Sequence, residues 1–175
     1  MSVAFSPDNQ LVVAGGWWGA WGLWKSDGTV VKVRWGAHNG SLNAVDFSPD
    51  SKTFITAGND GRAILWKRDG EELHCFQDSR LSPGYAHSDA IWGARFSPDG
   101  QMIATASNDR TVKLWKSDGR LLTILTGHKS VVRAVDFSPD AQTLASASDD
   151  GTVKLWKLGG AALSRSACKE KPFAL

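Results

Sequence analysis

The stretch FSPDAQTLASASDDGTVKLW, Phe137 to Trp156, decides how this chain folds, because most of the remaining sequence is three further copies of it. FSPD recurs at Phe5, Phe47, Phe96 and Phe137, and a Trp-Lys pair closes each copy at Trp24, Trp66, Trp115 and Trp156. The Phe-to-Trp separation is 19 residues in all four. Self-similarity at a period of about 40–50 residues marks propellers and solenoids, in which no copy buries its apolar surface alone.

Each copy reads as short strands separated by turns. The proline of Ser-Pro-Asp supplies the fixed φ that a type I turn needs. The apolar runs that follow (LASAS, IATAS, FITAG, LVVAG) are short and bounded by turns, as buried strands are. A second turn, at Asp149-Asp150-Gly151, Asn108-Asp109-Arg110 and Asn59-Asp60-Gly61, leads into a β-branched, alternating segment that ends on the tryptophan. Asp27-Gly28, Asp69-Gly70 and Asp118-Gly119 then give a strong hairpin signal, and segments such as RLLTILT (Arg120 to Thr126) supply a fourth strand. No helical pattern intervenes. The expected fold is all-β: four antiparallel four-stranded sheets, apolar on both faces and covered by their neighbours. One repeat domain over 1–175 is expected, its units at approximately 1–36, 37–78, 79–127 and 128–165. The divergent tail, 158–175, signals a fourth strand only weakly and would equally suit a short helix or disorder.

Composition narrows the function classes. Hydrophobic residues at 42% and charged residues at 22% are ordinary globular usage, which argues against disorder. A net charge of +2 argues against a nucleic-acid binder, which concentrates basic charge on one face. No apolar run has the length of a membrane span, and MSVAFSPD has no signal-peptide layout. Cys75 and Cys168 have neither metal-ligand spacing nor a disulfide framework, so the expected setting is a reducing cytoplasm. Of nine tryptophans, Trp17, Trp18, Trp21, Trp35 and Trp92 lie outside the repeat.

FSPDG at Phe96, Gly127-His128 upstream of the fourth copy, the S-x-D-x-T run and the terminal Leu-Trp together resemble WD40 repeats. The copies of that family each form one four-stranded blade of a β-propeller. The resemblance spans roughly residues 1 to 157, with Trp-Lys in every copy where the family has Trp-Asp.

Three copies hold a polar set in fixed register: His38, Thr56, Asp60, Trp66; His87, Thr105, Asp109, Trp115; and His128, Ser146, Asp150, Trp156. Serine, histidine and aspartate are also the parts of a nucleophilic triad. A catalytic set, however, is built once per site, whereas this one recurs and accepts threonine for serine. The resemblance implies a structural chain instead, in which the indole N–H reaches the hydroxyl, the hydroxyl the imidazole, and the imidazole the aspartate. No catalytic residue, cofactor or metal site is expected, and His74, the one histidine outside the sets, reads as packing. Copy one departs from the pattern, with Ala14 at the hydroxyl position and Trp18 at the aspartate position. Its GGWWGAWGLW segment is expected to pack by aromatic bulk, a binding role being the alternative. After FSPD, Gly100 has the counterparts Asn9, Ser51 and Ala141. If that site needs φ > 0, Ala141 carries strain on the order of 1 kcal/mol.

By resemblance, partners are gripped on the face bearing the loop before each first strand and the turn with the aspartate. The corresponding positions are Ser41, Asn43 and Asn59; Ala90, Trp92 and Asn108; Val131, Arg133 and Asp149; with Trp17 in copy one. A polar surface with one Trp and one Arg suits a protein or peptide, because those types dominate hot spots. An ordinary solvated rim is the alternative. Trp66 to His87 is 21 residues against 14 and 13 at the other junctions, and the longer loop brings Arg80 and Tyr85. The expected function is a non-catalytic protein–protein interaction scaffold; the alternative is a structural piece of a larger array with no ligand of its own. WD-repeat rings usually have about seven blades and propellers four to eight. Four repeats therefore leave a homodimer closing an eight-bladed ring, a fragment of a longer array, or an open arc.

Overall fold

The computed structural model of the 175-residue chain describes residues 1–159 and the backbone of 171–172. Four antiparallel sheets follow one another along the chain. The first holds β1 (Ser2–Phe5), β2 (Leu11–Gly15), β3 (Trp21–Lys25) and β4 (Val30–Arg34). The second holds β5 (Leu42–Phe47), β6 (Thr53–Gly58), β7 (Ala63–Lys67) and β8 (Glu72–Cys75). The third holds β9 (Ile91–Phe96), β10 (Met102–Ser107), β11 (Thr111–Lys116) and β12 (Leu121–Thr126). In the fourth, β13 (Val132–Phe137), β14 (Thr143–Ser148) and β15 (Thr152–Lys157) are completed by the two-residue β16 (Lys171–Pro172), which pairs with Thr152 and Val153. The rest of the tail lies outside the described residues.

Turn chemistry fixes where the strands reverse. Ser6 Oγ donates to Asp8 Oδ1 at 2.6 Å and accepts the N–H of Leu11 at 2.9 Å. Ser48, Ser97 and Ser138 do the same with Asp50, Asp99 and Asp140. These serine bonds hold the aspartates below the usual carboxylate range. The next position is left-handed in every copy: φ is 58° at Asn9, 60° at Ser51, 69° at Gly100 and 55° at Ala141. Ala141 is therefore held in a conformation that a Cβ disfavours.

Each sheet has two apolar faces, and successive sheets pack face to face. Leu11, Val13, Trp21 and Leu23 of the first meet Val45, Phe47, Phe54 and Trp66 of the second. Ala44, Ile55, Ala57 and Leu65 on its far side meet Ile91, Phe96, Ile103 and Trp115. Ala104, Ala106, Val112 and Leu114 meet Val132, Val135, Phe137 and Leu144. The first strands β1, β5, β9 and β13 are neighbours in sequence along the inner side of the arc. The arc is not closed into a ring.

Copy one only partly follows the expected aromatic packing. Trp21 is buried, with its ring centroid 5.1 Å from that of Phe54 and 5.0 Å from that of Trp66, both edge-on. Trp17 and Trp18 are instead 64% and 81% exposed, in a 3₁₀ turn (Trp17–Gly19) where Trp18 has φ +65°. The turn lifts them off the sheet, so aromatic bulk fills the core only at Trp21. Trp24 lies over Gly22, where a Cβ would fall 2.2 Å from the ring.

Candidate interaction surface and the hydrogen-bonded tetrads

The recurring polar sets are assembled blade by blade. In the second blade Trp66 Nε1 donates to Thr56 Oγ1 at 2.8 Å, Thr56 Oγ1 lies 2.9 Å from His38 Nε2, and His38 Nδ1 lies 2.9 Å from Asp60 Oδ1. The distances are 2.9, 2.7 and 2.8 Å through Trp115, Thr105, His87 and Asp109. They are 2.9, 2.8 and 2.9 Å through Trp156, Ser146, His128 and Asp150. The indole can only donate, so the hydroxyl hydrogen is left for Nε2 and the Nδ1 hydrogen for the carboxylate. Each aspartate also accepts the N–H of the residue after the histidine (Asn39, Ser88, Lys129), pinning the incoming loop.

In the third blade the electrostatics fit a neutral imidazole against an ionised carboxylate. Burial pushes His87 below the ordinary imidazole range, against the pull of Asp109. Burial would raise Asp109, but hydrogen bonds from His87 and Thr111 outweigh it and hold the carboxyl well below its usual range. Asp150 is lowered in the same way, by Thr152, the Lys129 N–H and His128 against burial. The three chains sit in three different sheets, and each imidazole is buried with its hydroxyl partner. They share no common cavity, so the geometry supplies strand-to-loop ties rather than one reaction centre. Among the described residues, no group of three His, Cys, Asp or Glu side chains is placed to hold a metal ion. His74 packs edge-on against Phe76 and over Gly119, where a Cβ would fall 1.8 Å from Nε2.

The loop-face positions form two groups. Asn43 Nδ2 donates to Asn59 Oδ1 at 2.7 Å and to the carbonyl of Ile91 at 2.8 Å, which ties the second blade to the third. Across the third and fourth blades runs a ladder of four side chains. Asn108 Oδ1 accepts from Trp92 Nε1 at 3.3 Å, Arg133 Cζ lies 4.4 Å from the Trp92 ring centroid, and Asp149 grips Arg133 in a fork of 2.7–3.0 Å. Arg133 and Asp149 stay nearly half exposed. Ser41, Ala90 and Val131 contribute backbone, their carbonyls accepting from Asn59, Asn108 and Asp149. The 3₁₀ turn of copy one borders a separate groove of about 410 Å³, lined by Trp17, Trp18, Gly36, Asn39 and Ser41 among others.

The long loop is anchored by a residue the sequence did not single out. Asp78 is buried and accepts from Lys113 Nζ at 2.8 Å, while Lys113 also donates to the Ala86 carbonyl at 2.7 Å. Arg80 Nε donates to Asp78 Oδ1 at 2.8 Å, so its guanidinium is tied back to its own loop. These bonds, with the Arg80 fork first, hold Asp78 well below the carboxylate range despite burial. Tyr85 remains exposed, its carbonyl accepting the Asp78 N–H at 2.9 Å. The lysine of TVKLW, a charge in a strand whose neighbouring positions are apolar, signals that a buried partner is needed but does not point to Asp78.

Blades with repeated Trp–hydroxyl–His–Asp chains define a class, and the sequence agrees with it. The profile of the WD40 family (WD domain, G-beta repeat) matches residues 1–31, 28–67, 79–116 and 119–157, and the chain belongs to that family. No curated protein sequence matches the chain. WD40 domains are commonly interaction scaffolds and typically non-catalytic.

Proposed function

We propose that this chain is a non-catalytic scaffold that holds a protein or peptide on its loop face, with the Trp92–Arg133 pair as its centre. One observation carries this: an Arg stacked on a half-buried Trp, locked by Asp149, presents a flat amphipathic surface without further loss of side-chain freedom on binding. Trp and Arg are the types that anchor interfaces. Asn108, bonded to the Trp92 indole, supplies a polar edge, and Asn59, Tyr85 and Arg80, the last already held by Asp78, are further candidate contacts. Selection of peptides from a random library on the immobilised chain tests the reading. Peptides so selected should lose at least about thirtyfold in affinity on W92A/R133A, the loss expected of hot-spot residues. Equal binding to both proteins would move the site elsewhere.

A second reading is supported by the internal satisfaction of this surface. Asn43, Asn59, Arg133 and Asp149 all have partners within the chain, as suits a structural module with no ligand of its own. A library that yields no binder would favour it. Among the described residues the two end sheets expose Val3, Phe5 and Leu155, which supports, in addition, association with a second copy into an eight-bladed ring.

A further inference from the structure

Every junction inside this chain joins the same two kinds of face. The face carrying the tryptophan is presented backwards, as by Val45, Phe47, Phe54 and Trp66; the opposite face is presented forwards, as by Ala44, Ile55, Ala57 and Leu65. The backward face of the first blade consists of Val3, Phe5, Val12, Ala14 and Trp24. Val3 and Phe5 are 65% and 64% exposed there, whereas their counterparts Val45 and Phe47 are buried. The forward face of the fourth blade consists of Ala134, Asp136, Ala145, Ala147, Val153 and Leu155. Leu155 is 49% exposed, whereas its counterparts Leu65 and Leu114 are buried. The two free faces are thus the two halves of one junction, standing at opposite ends of the arc.

A polar bond gives that missing junction its register. Between the second and third blades, Asp46 Oδ2 accepts the backbone N–H of Phe96 at 2.8 Å. Asp46 and Asp136 hold the same place in two runs of AVDFSPD, while Ala4 and Arg95 hold it in the other blades. The acceptor therefore alternates, present in blades two and four and absent from one and three. Asp136, with no blade in front of it among the described residues, turns to the N–H of its own neighbour Phe137 at 3.1 Å. Phe5 stands in the first blade where Phe96 stands in the third. A fourth blade set against a first blade thus repeats the pairing of the second on the third.

We infer that the occupant of both faces is a second copy of this chain, with Asp136 of each copy reaching the Phe5 N–H of the other and Leu155 covering Val3 and Phe5. Two such junctions close a two-fold ring of eight blades, and the alternation of the aspartate is kept all the way round. This rests on the self-association reading above and assigns the residues that make it.

Light scattering of the 175-residue chain over a concentration series tests it, with L155D and D136A alongside. The wild-type mass should be twice 18.9 kDa. D136A should weaken the dimer about tenfold at each of the two junctions, the loss expected for a hydrogen bond to a charged group, and so about a hundredfold overall. L155D, which sets a charge in the apolar contact, should leave a monomer at concentrations where the wild type is dimeric. Both positions are exposed in the single chain, so melting temperatures measured below the dimer's dissociation range should match the wild type. A wild type monomeric throughout overturns self-association together with this assignment. A wild-type dimer that both variants leave intact overturns the assignment alone.

Discussion

Trp66, Trp115 and Trp156 end in the same place, each with its N–H on a hydroxyl that in turn meets an imidazole. The aspartate at the far end of each chain does two jobs: it orients the ring through Nδ1 and holds the loop that brought the ring in. Removing it leaves a buried donor without an acceptor, which costs about 1–3 kcal/mol. Asp150→Ala should lower stability by about that amount in urea unfolding; an unchanged midpoint would mean the chain of bonds contributes nothing. The same geometry sets a pH dependence through His87. Its pKa is lowered on folding, so the unfolded chain takes up a proton near the ordinary value of 6.5 while the folded chain does not. Stability is then complete above that pH and falls as pH drops below it, by up to about 1.4 kcal/mol per unit. Lys113 and Asp78 act on the same ring in opposite senses, the lysine lowering and the aspartate raising its pKa. Urea midpoints at pH 7.5 and 5.5 should differ in that direction. The lowered aspartates act later, their contribution being lost only as pH falls below the usual carboxylate range.

At the level of the strand, TVKLW does more than alternate. β11 places Lys113 in a closed interior, where its charge is met by Asp78 from the long loop and by the Ala86 carbonyl. An uncompensated buried ammonium is far less stable than a paired one. Asp78→Ala should therefore cost about 3 kcal/mol, read as a fall in the urea midpoint, and should free Arg80 and the loop with it. A loss below about 0.5 kcal/mol would mark the pair as ornamental, as exposed pairs are. The first sheet shows the converse case. Having no polar chain, it docks on the second blade through Trp21, whose ring meets both Phe54 and Trp66, and it leaves Trp17, Trp18 and Trp24 away from that core.

For the whole molecule, the arrangement of blades matters more than any one of them. Among the described residues three junctions are formed and a fourth pair of matching faces is left uncovered, so the apolar ends and the loop-face ladder are the surfaces they offer to other molecules. They differ in character. The ends expose Val3, Phe5 and Leu155 with one aspartate, suited to another blade, whereas Trp92, Arg133 and Asp149 form a braced patch suited to a peptide. A ring of two copies would present that patch twice, on one face, so peptide binding and self-association are compatible.

The repeat, the four-stranded sheets, the turn positions and the membership of each polar set were legible in the sequence, because all are local or recur at a fixed spacing. A period of two within strands and Pro, Asp and Gly between them leave little choice of local structure. Asp78 was not legible: a carboxylate 35 residues from its lysine carries no local mark, and only the fold of the long loop brings them together. Nor was the fate of the extra tryptophans, since Trp18 and Trp21 stand three residues apart in one apolar run and a left-handed turn at Trp18 sends one outward and the other in. The sequence by itself determined what each blade is. Only the tertiary structure decided which faces remain uncovered and that Arg133 lies on Trp92, because both depend on how separate sheets are set against one another and not on the order of residues within any of them.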